Sequence, residues 1–294
     1  MVPTISLPFV SRGSVQCDGI YTPRVCDVAG LRTPTTVSPI SVYALSPTSS
    51  PQSFHDYHNA FSDLQGRYDL LTGTSKLIGS GGNGCVWSAK CKSSDLDVAV
   101  KSVSKPAYRS TQPQESDILR IVQRIPGVVR LFDVFQDDDY EILVMEFCEG
   151  RDLQQWKIGE LRDNDCKLIV KDLLACLREI HSRGVSHMDV RLENVIVNAP
   201  RSLGVNQETP CVRLVDFGSG VSNTKLACND LIGTGKLLFE LVAGLRIGEQ
   251  MMTASEMHAV QDSAASDLID MLLSATPTNY SDIAESATNH PWFH

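Results

Sequence analysis

The sequence predicts an α+β fold of two lobes, a β-rich lobe followed by an α-helical one. Two observations predict it. Residues 75–104 alternate short β-branched stretches with glycine (KLIGS, GCVWSAK, DVAVKSV), the pattern of an antiparallel meander. From about residue 151 the apolar residues recur instead at helical spacing. A third observation sets a segment apart from both lobes. Residues 1–66 hold no Lys, no Glu and seven of the chain's 14 prolines.

In chain order, residues 1–68 read as a disordered Ser/Thr/Pro-rich tail, because such a stretch buries too little apolar surface to offset its ordering entropy. Thr22, Thr33, Ser38, Ser46 and Ser50 each precede a proline and suit proline-directed kinases; the plainer reading is ordinary disordered composition. Residues 69–148 form the first lobe. After the meander, QESDILRIVQRI places Ile118, Ile121, Val122 and Ile125 on one helical face. Strands VVRLFDVF and EILVMEF follow, with Asp137 to Asp139 as a solvated turn between them rather than a calcium site. Residues 149–294 form the second lobe. Leu168, Ile169, Leu173, Leu177 and Ile180 share a helix face, NVIVN and VRLVDF make a strand pair, and LIGTGKLLFELVAGL and SDLIDMLLSA are helices.

Composition removes whole classes. The 294 residues carry 26 basic and 35 acidic side chains, a net of −9, which argues against nucleic-acid binding through a broad basic surface. The tail is nearly neutral at −1, so the lobes carry −8. No apolar run approaches the roughly 18 residues of a membrane span, and the first residues lack a signal peptide's basic start. Nine cysteines without a Cys-x-x-Cys pair read as reduced thiols, which suits cytoplasm or nucleus.

Chemistry concentrates in four places. Gly79-Ser-Gly81-Gly-Asn-Gly84-Cys-Val86 fits G-x-G-x-x-G-x-V, and because strand follows it the dinucleotide-binding arrangement is disfavoured. Lys101 closes the strand Val98-Ala99-Val100, a costly place for a cation unless a phosphate or a carboxylate meets it; Glu115 on the next helix is the natural carboxylate. His187-Met-Asp189-Val-Arg191-Leu-Glu193-Asn194 precedes one short strand, and Asp216-Phe217-Gly218 ends another. Asp189 suits orienting or deprotonating a hydroxyl, while Asn194 and Asp216 suit holding magnesium. Each motif alone is weak; their order and local setting together are strong.

On these residues the chain resembles the eukaryotic protein kinase family over residues 75–294. The resemblance implies a two-lobed protein-kinase-like fold and a serine/threonine protein kinase using ATP and Mg2+ on protein substrates. It implies that the glycine strand covers the ATP phosphates and that Lys101 contacts them. Asp189 becomes the catalytic aspartate, Arg191 takes the place of a phosphate-contacting lysine, and Asn194 and Asp216 become metal ligands. Ile78, Gly79, Gly81, Gly84, Val86, Ala99, Lys101, Glu115, Glu146, Cys148 and Ile196 form the implied nucleotide site, with Met145 as gatekeeper and Glu146 to Cys148 as hinge. Leu119, Leu131, His187 and Phe217 match an apolar column between the lobes, anchored by Asp230. The wording GSGGNGCV, VDFGSG and NHPWF is similar to the Pim-type and calmodulin-kinase-group kinases.

Three departures stand out. Met188 replaces the family's arginine, so control by a phosphorylated activation loop is expected to be absent. Only 13 residues separate Asp216 from Asp230, with no Ala-Pro-Glu, and the stretch from Gly244 to Ser266 is short. Tyr280 occupies the place of an arginine that pairs with the missing glutamate; losing both avoids a buried unpaired cation. Such trimming resembles the compact kinases of large DNA viruses, for which the host cell would be the site of action. A constitutively active monomer is expected, with a pseudokinase scaffold and a small-molecule kinase as alternatives. Glu193 and Asp152 match positions that draw basic peptides; the plainer reading is a helix cap at Asp152 and a solvated charge at Glu193. Cys85 reads as a bystander thiol, and His290 as a packing or capping residue near Trp292.

Overall fold

A computed structural model describes residues 60–70, 76–81, 84–105, 113–157, 159–198, 211–247 and 257–294. The five Ser/Thr-Pro sites lie outside the described residues.

The first lobe is a six-stranded antiparallel sheet. Strands β1 (Tyr68–Asp69), β3 (Gly84–Cys91), β4 (Asp97–Ser104), β6 (Tyr140–Glu146) and β5 (Leu131–Gln136) lie in that order, and β2 (Leu77–Gly81) pairs with β3. Side chains alternate across the pleat, so each strand serves two faces. Val98, Val100, Ile142 and Val144 pack outward under Leu64, Tyr68 and Leu70. Leu131, Leu143 and Met145 join the large core that continues into the second lobe.

Helix α1 (Ala60–Arg67) supplies the outer cover. The folded chain thus starts ahead of the boundary expected at residue 69. The physical reason is that β4 and β6 present apolar residues on both faces, and Leu64 seals the second one. Arg67 and the Tyr68 hydroxyl both reach the Asp133 carboxylate, at 3.2 and 2.8 Å, which ties this segment to β5.

Helix α2 (Glu115–Val122) is shorter than the pattern predicts. Ile118, Leu119 and Val122 are buried, but Ile121 is 39% exposed and Ile125 lies beyond the helix end. Strand β5 likewise starts at Leu131, because Val128 and Val129 pair instead with Leu214 of the second lobe. The Asp137 carboxylate accepts from the N–H groups of Asp139 and Tyr140, so the acidic turn is a local cap as expected.

The second lobe opens on strand β7 (Arg151–Asp152), which the helical expectation from residue 151 did not include. Helix α3 (Asp163–Ser182) buries Ile169, Leu173, Leu177 and Ile180, with Leu168 at the edge of that face. Strands β7, β8 (Val195–Val197) and β9 (Val212–Leu214) form an antiparallel sheet. Helices α4 (Ala227–Ala243), α5 (Ser263–Leu273) and α6 (Tyr280–Thr288) complete the lobe. The His290 side chain accepts from Trp292 N–H and reaches Asp267, the capping role expected for it.

Candidate active site

Lys101 and Ala99 share one face of β4, and Val86 faces Lys101 across the β3 register. Lys101 is 4% exposed, and its ammonium lies 2.6 Å from Glu115 Oε2 and 2.8 Å from Asp216 Oδ1. Burial pushes the lysine pKa down, yet the two carboxylates outweigh it and hold the group above its ordinary value. Burial lifts the Glu115 carboxyl above its usual range despite Lys101. Asp216 stays below its own, because Lys101 and the Gly218 N–H more than offset its burial. One cation thus joins the sheet, helix α2 and the segment after β9.

The loop 187–194 is fixed from below. Asp230, fully buried on α4, accepts from His187 N–H at 2.8 Å and from Met188 N–H at 2.7 Å. Met188 holds φ 70° and Asp216 φ 60°, two left-handed non-glycine residues flanking the site. The His187 ring packs edge-on against Phe217 at 4.6 Å between centroids. Its Nε2 meets the Val215 carbonyl and its Nδ1 the Asp189 N–H, so one neutral tautomer satisfies both. Leu119, Leu131, His187 and Phe217, expected as a column, are all buried.

The Asn194 amide nitrogen donates to the Asp189 carbonyl and to its Oδ2, each at 2.9 Å. Its amide oxygen then remains as the acceptor. Asn194 and Asp216 therefore offer hard oxygen donors beside the paired strands β8 and β9, with Asp189 held next to Asn194. Among the described residues no group of three or more His, Cys, Asp or Glu side chains could hold a metal alone. That donor set fits magnesium, which binds through one or two carboxylates and completes its shell with water and substrate phosphates.

The expected nucleotide residues fall on β2, β3, β4, α2, β8 and the end of β6 with the residues just after it. Gly79 and Gly84 flank the loop tip, whose residues 82–83 lie outside the described residues. Gly84 has φ 123°, and a Cβ there would run into the Ser102 carbonyl, so only glycine fits. A Cβ on Gly79 would meet nothing within 4 Å, which leaves open space beside the strand. Ile78, Val86 and Ile196 are half-buried and belong to neither core cluster, while Ala99 is buried. Ala99 pairs with Met145 in register. Glu146 holds Arg130 and Arg213, while burial and Glu146 push the Cys148 thiol up to about 12.

Arg191 differs from expectation. Its guanidinium lies on the Glu193 carboxylate through bonds of 2.6 and 2.9 Å. Asp152 caps the turn at Gln155, so the helix-cap reading holds for it. Both carboxylates thus have partners within the chain. The short connection after Phe217 is also explained: Ser186 and Val221 exchange two backbone bonds, and a 3-10 turn at Thr224–Leu226 leads straight into α4. Sequence reasoning missed His181, whose Nε2 lies 2.7 Å from Asp230 and whose Nδ1 meets the Tyr280 hydroxyl. Its only local signal is a histidine six residues before His187.

A protein kinase domain family model matches residues 73–237. The chain is 33% identical over 150 residues to the serine/threonine-protein kinase cds1 of Schizosaccharomyces pombe, covering 47% of this chain and 32% of that protein. It is 27% identical over 197 residues to the serine/threonine-protein kinase ATG1a of Arabidopsis thaliana, covering 57% and 30%. The chain thus spans about a third of the length of these relatives. The crystal structure of Rad53 1-466 in complex with AMP-PNP superposes with a TM-score of 0.61 at 23% identity, covering 75% of this chain and 65% of that one. That likeness shows the two-lobed fold.

Proposed function

The chain belongs to the protein kinase domain family, and we propose that it transfers the γ-phosphoryl group of ATP to serine or threonine hydroxyls of proteins. The observation that carries this reading is the buried Lys101, paired at once with Glu115 and Asp216. An isolated cation at that depth is costly, and two carboxylates around one ammonium leave negative charge ready for a divalent cation. Asn194 and Asp216 would hold the metal; magnesium, when bound, neutralises phosphate charge and favours in-line displacement. Gly79 and Gly84 leave backbone close to the phosphates, and Ile78, Val86, Ala99 and Ile196 would enclose the base beside the hinge at Glu146 and Cys148.

In the transfer, an oxygen–phosphorus bond forms at the acceptor hydroxyl and the bond to the bridging oxygen of the nucleotide breaks. Asp189, oriented by Asn194, receives the hydroxyl proton. Lys101 keeps its charge and so steadies the departing phosphate oxygens. Arg191 contributes a second cation only by exchanging Glu193 for phosphate. With Met188 in place of a cation and a 13-residue connection to Asp230, no loop phosphate has an obvious receptor, so activity is constitutive in this reading. The glycine-loop and C-terminal wording favours a Pim-like relative with a trimmed segment, and in this reading it acts as a monomer in cytoplasm or nucleus.

The short connection also favours a second reading, an ATP-binding scaffold without transfer. Labelled Mg-ATP offered with one basic and one acidic protein tests both. Label transfer that is lost in Lys101→Met and Asp189→Asn supports the kinase. ATP-dependent thermal stabilisation with no transfer to either protein supports the scaffold. Activity that survives phosphatase treatment supports the constitutive form, and its loss overturns it.

A further inference from the structure

Beside Asp189 a cavity of about 420 Å3 opens between the loop 187–194 and helix α4. Met188, Ile232 and Leu237 give it apolar walls. Its charged lining is three anions, Asp189, Glu193 and Glu240, and three cations, Arg191, Lys236 and Arg246. The balance is nominally even, but the charges are not equally available.

Both glutamates are already engaged. Glu193 accepts two bonds from Arg191, and the Gln154 amide, with its nitrogen turned inward, donates to it as well. Burial pushes the Glu193 carboxyl up, but Arg191 outweighs it and holds the group below its ordinary range, with Arg246 adding to the effect. Glu240 accepts from Ile247 N–H at 2.8 Å and has Arg246 at 3.8 Å. Asp189 takes the Asn194 amide and faces the acceptor hydroxyl in the reading above. Lys236 is half-buried and forms no ion pair among the described residues, unlike Arg191 and Arg246. Of the three cations in this lining, Lys236 alone has no carboxylate within 4 Å among the described residues, so an incoming anion would supply its counter-charge. Of the two carboxylates expected to draw a substrate arginine, Glu193 holds the chain's own Arg191 and Asp152 holds Gln155.

We propose that Lys236 is a specificity residue that seats an acidic side chain of the acceptor peptide in this cavity, next to the hydroxyl at Asp189. This rests on the kinase reading, and the test separates the two. The full chain with Mg2+ and AMP-PNP is titrated with fluorescein-labelled serine peptides carrying Glu, phosphoserine, Ala or Arg in the three positions on either side of the acceptor. The glutamate peptide is expected to bind about tenfold more tightly than the arginine peptide, the size of one charge-assisted contact. The gap shrinks with salt. Lys236→Met should abolish the gap and Lys236→Glu should invert it; the methionine variant keeps the stem and serves where the glutamate variant fails to fold. A stronger gain for phosphoserine than for Glu also supports an anion subsite and identifies phosphate as the better fit. Tighter binding of the arginine peptide, or an unchanged ranking in Lys236→Met, overturns the proposal. Transfer from labelled Mg-ATP to the same peptides then reads the parent function. Charge-ranked binding without transfer to any peptide supports Lys236 and overturns the kinase reading. Transfer at equal kcat/KM to all four overturns Lys236 and keeps the kinase.

Discussion

The Tyr280 hydroxyl lies 2.5 Å from Nδ1 of His181, and this contact reaches the reacting loop through one more residue. Burial and the Asp230 charge push the tyrosine pKa up to about 12, so the hydroxyl keeps its proton and can donate. His181 Nε2–H then donates to Asp230 Oδ2, the same oxygen that accepts from His187 N–H. Tyr280 thereby fixes the imidazole that steadies the anchor of the loop. Tyr280→Phe leaves Nδ1 without its donor and is expected to cost about 1–2 kcal/mol, read as a melting temperature lower by roughly 2–8 °C in a domain of this size. As a positioning residue it should lower kcat with little change in KM for ATP. An equal fall of both kinetic terms, or none, would show that Tyr280 only packs.

Lys101 is the hinge of a three-charge cluster, and its removal has a pH signature. In Lys101→Met, Glu115 and Asp216 lose their shared cation inside a cavity where Glu115 is 6% exposed. One carboxyl then takes up a proton in the folded state that it lacks when unfolded. The folded state binding more protons means that stability falls as pH rises through the raised pKa. The variant should therefore lose stability between pH 5 and pH 8 relative to the parent. The parent shares that direction at Glu115, which burial already raises, but to a smaller extent because Lys101 opposes it. Its Asp216 contribution is present above the ordinary carboxylate range and is lost only as pH falls through the lowered value. The deficit at pH 8 is expected to be about 3–5 kcal/mol, the cost of breaking a buried pair. Urea titrations at the two pH values check it, and parallel curves would rule it out.

Much of this centre was legible in the sequence because its parts are local. Gly79 to Val86, His187 to Asn194 and Asp216 to Gly218 each occupy a few consecutive residues whose spacing sets their geometry. Lys101 and Glu115 could be paired because a cation ending an apolar strand demands a partner. What escaped depends on long-range packing. Tyr280 and His181 are 99 residues apart, and no periodicity links them. Ile121 fits the helical pattern but faces out, since the helix stops at Val122 and the chain turns to place Val128 and Val129 against β9. Helix α1 buries Leu64 from a segment of only eight residues, too short for a pattern to register. The engagement of Glu193 by Arg191 was hidden because side chains two apart in a loop have no fixed relative direction.

Thiol reactivity should rank the described cysteines by environment. Burial pushes Cys148 and Cys176 up to about 12 and Cys166 up to about 11. Cys91 runs the other way, since Ser93 and Ser94 outweigh its burial and hold it below the ordinary thiol value. Only the thiolate alkylates at an appreciable rate. With iodoacetamide at pH 7.5, Cys91 should be modified well before Cys148, Cys166 and Cys176, as read by peptide mass spectrometry. Early modification of Cys148 would contradict the raised value.

Two glycines of one loop separate folding from nucleotide binding. Gly84 combines φ 123° with the Ser102 carbonyl directly where a Cβ would stand, and backbone cannot move aside cheaply. Gly84→Ala should cost at least about 2–3 kcal/mol and loosen β3 from β4. Gly79 has no positive φ and open space around it, so Gly79→Ala should leave the melting temperature unchanged or slightly raised. If that open space is where phosphates lie, the same methyl intrudes on them, and ATP affinity should fall by about an order of magnitude, the loss of roughly one good contact. Thermal melts with and without Mg-ATP distinguish the cases. A Gly79→Ala protein that melts normally and binds ATP as tightly as the parent would move the phosphates away from this strand.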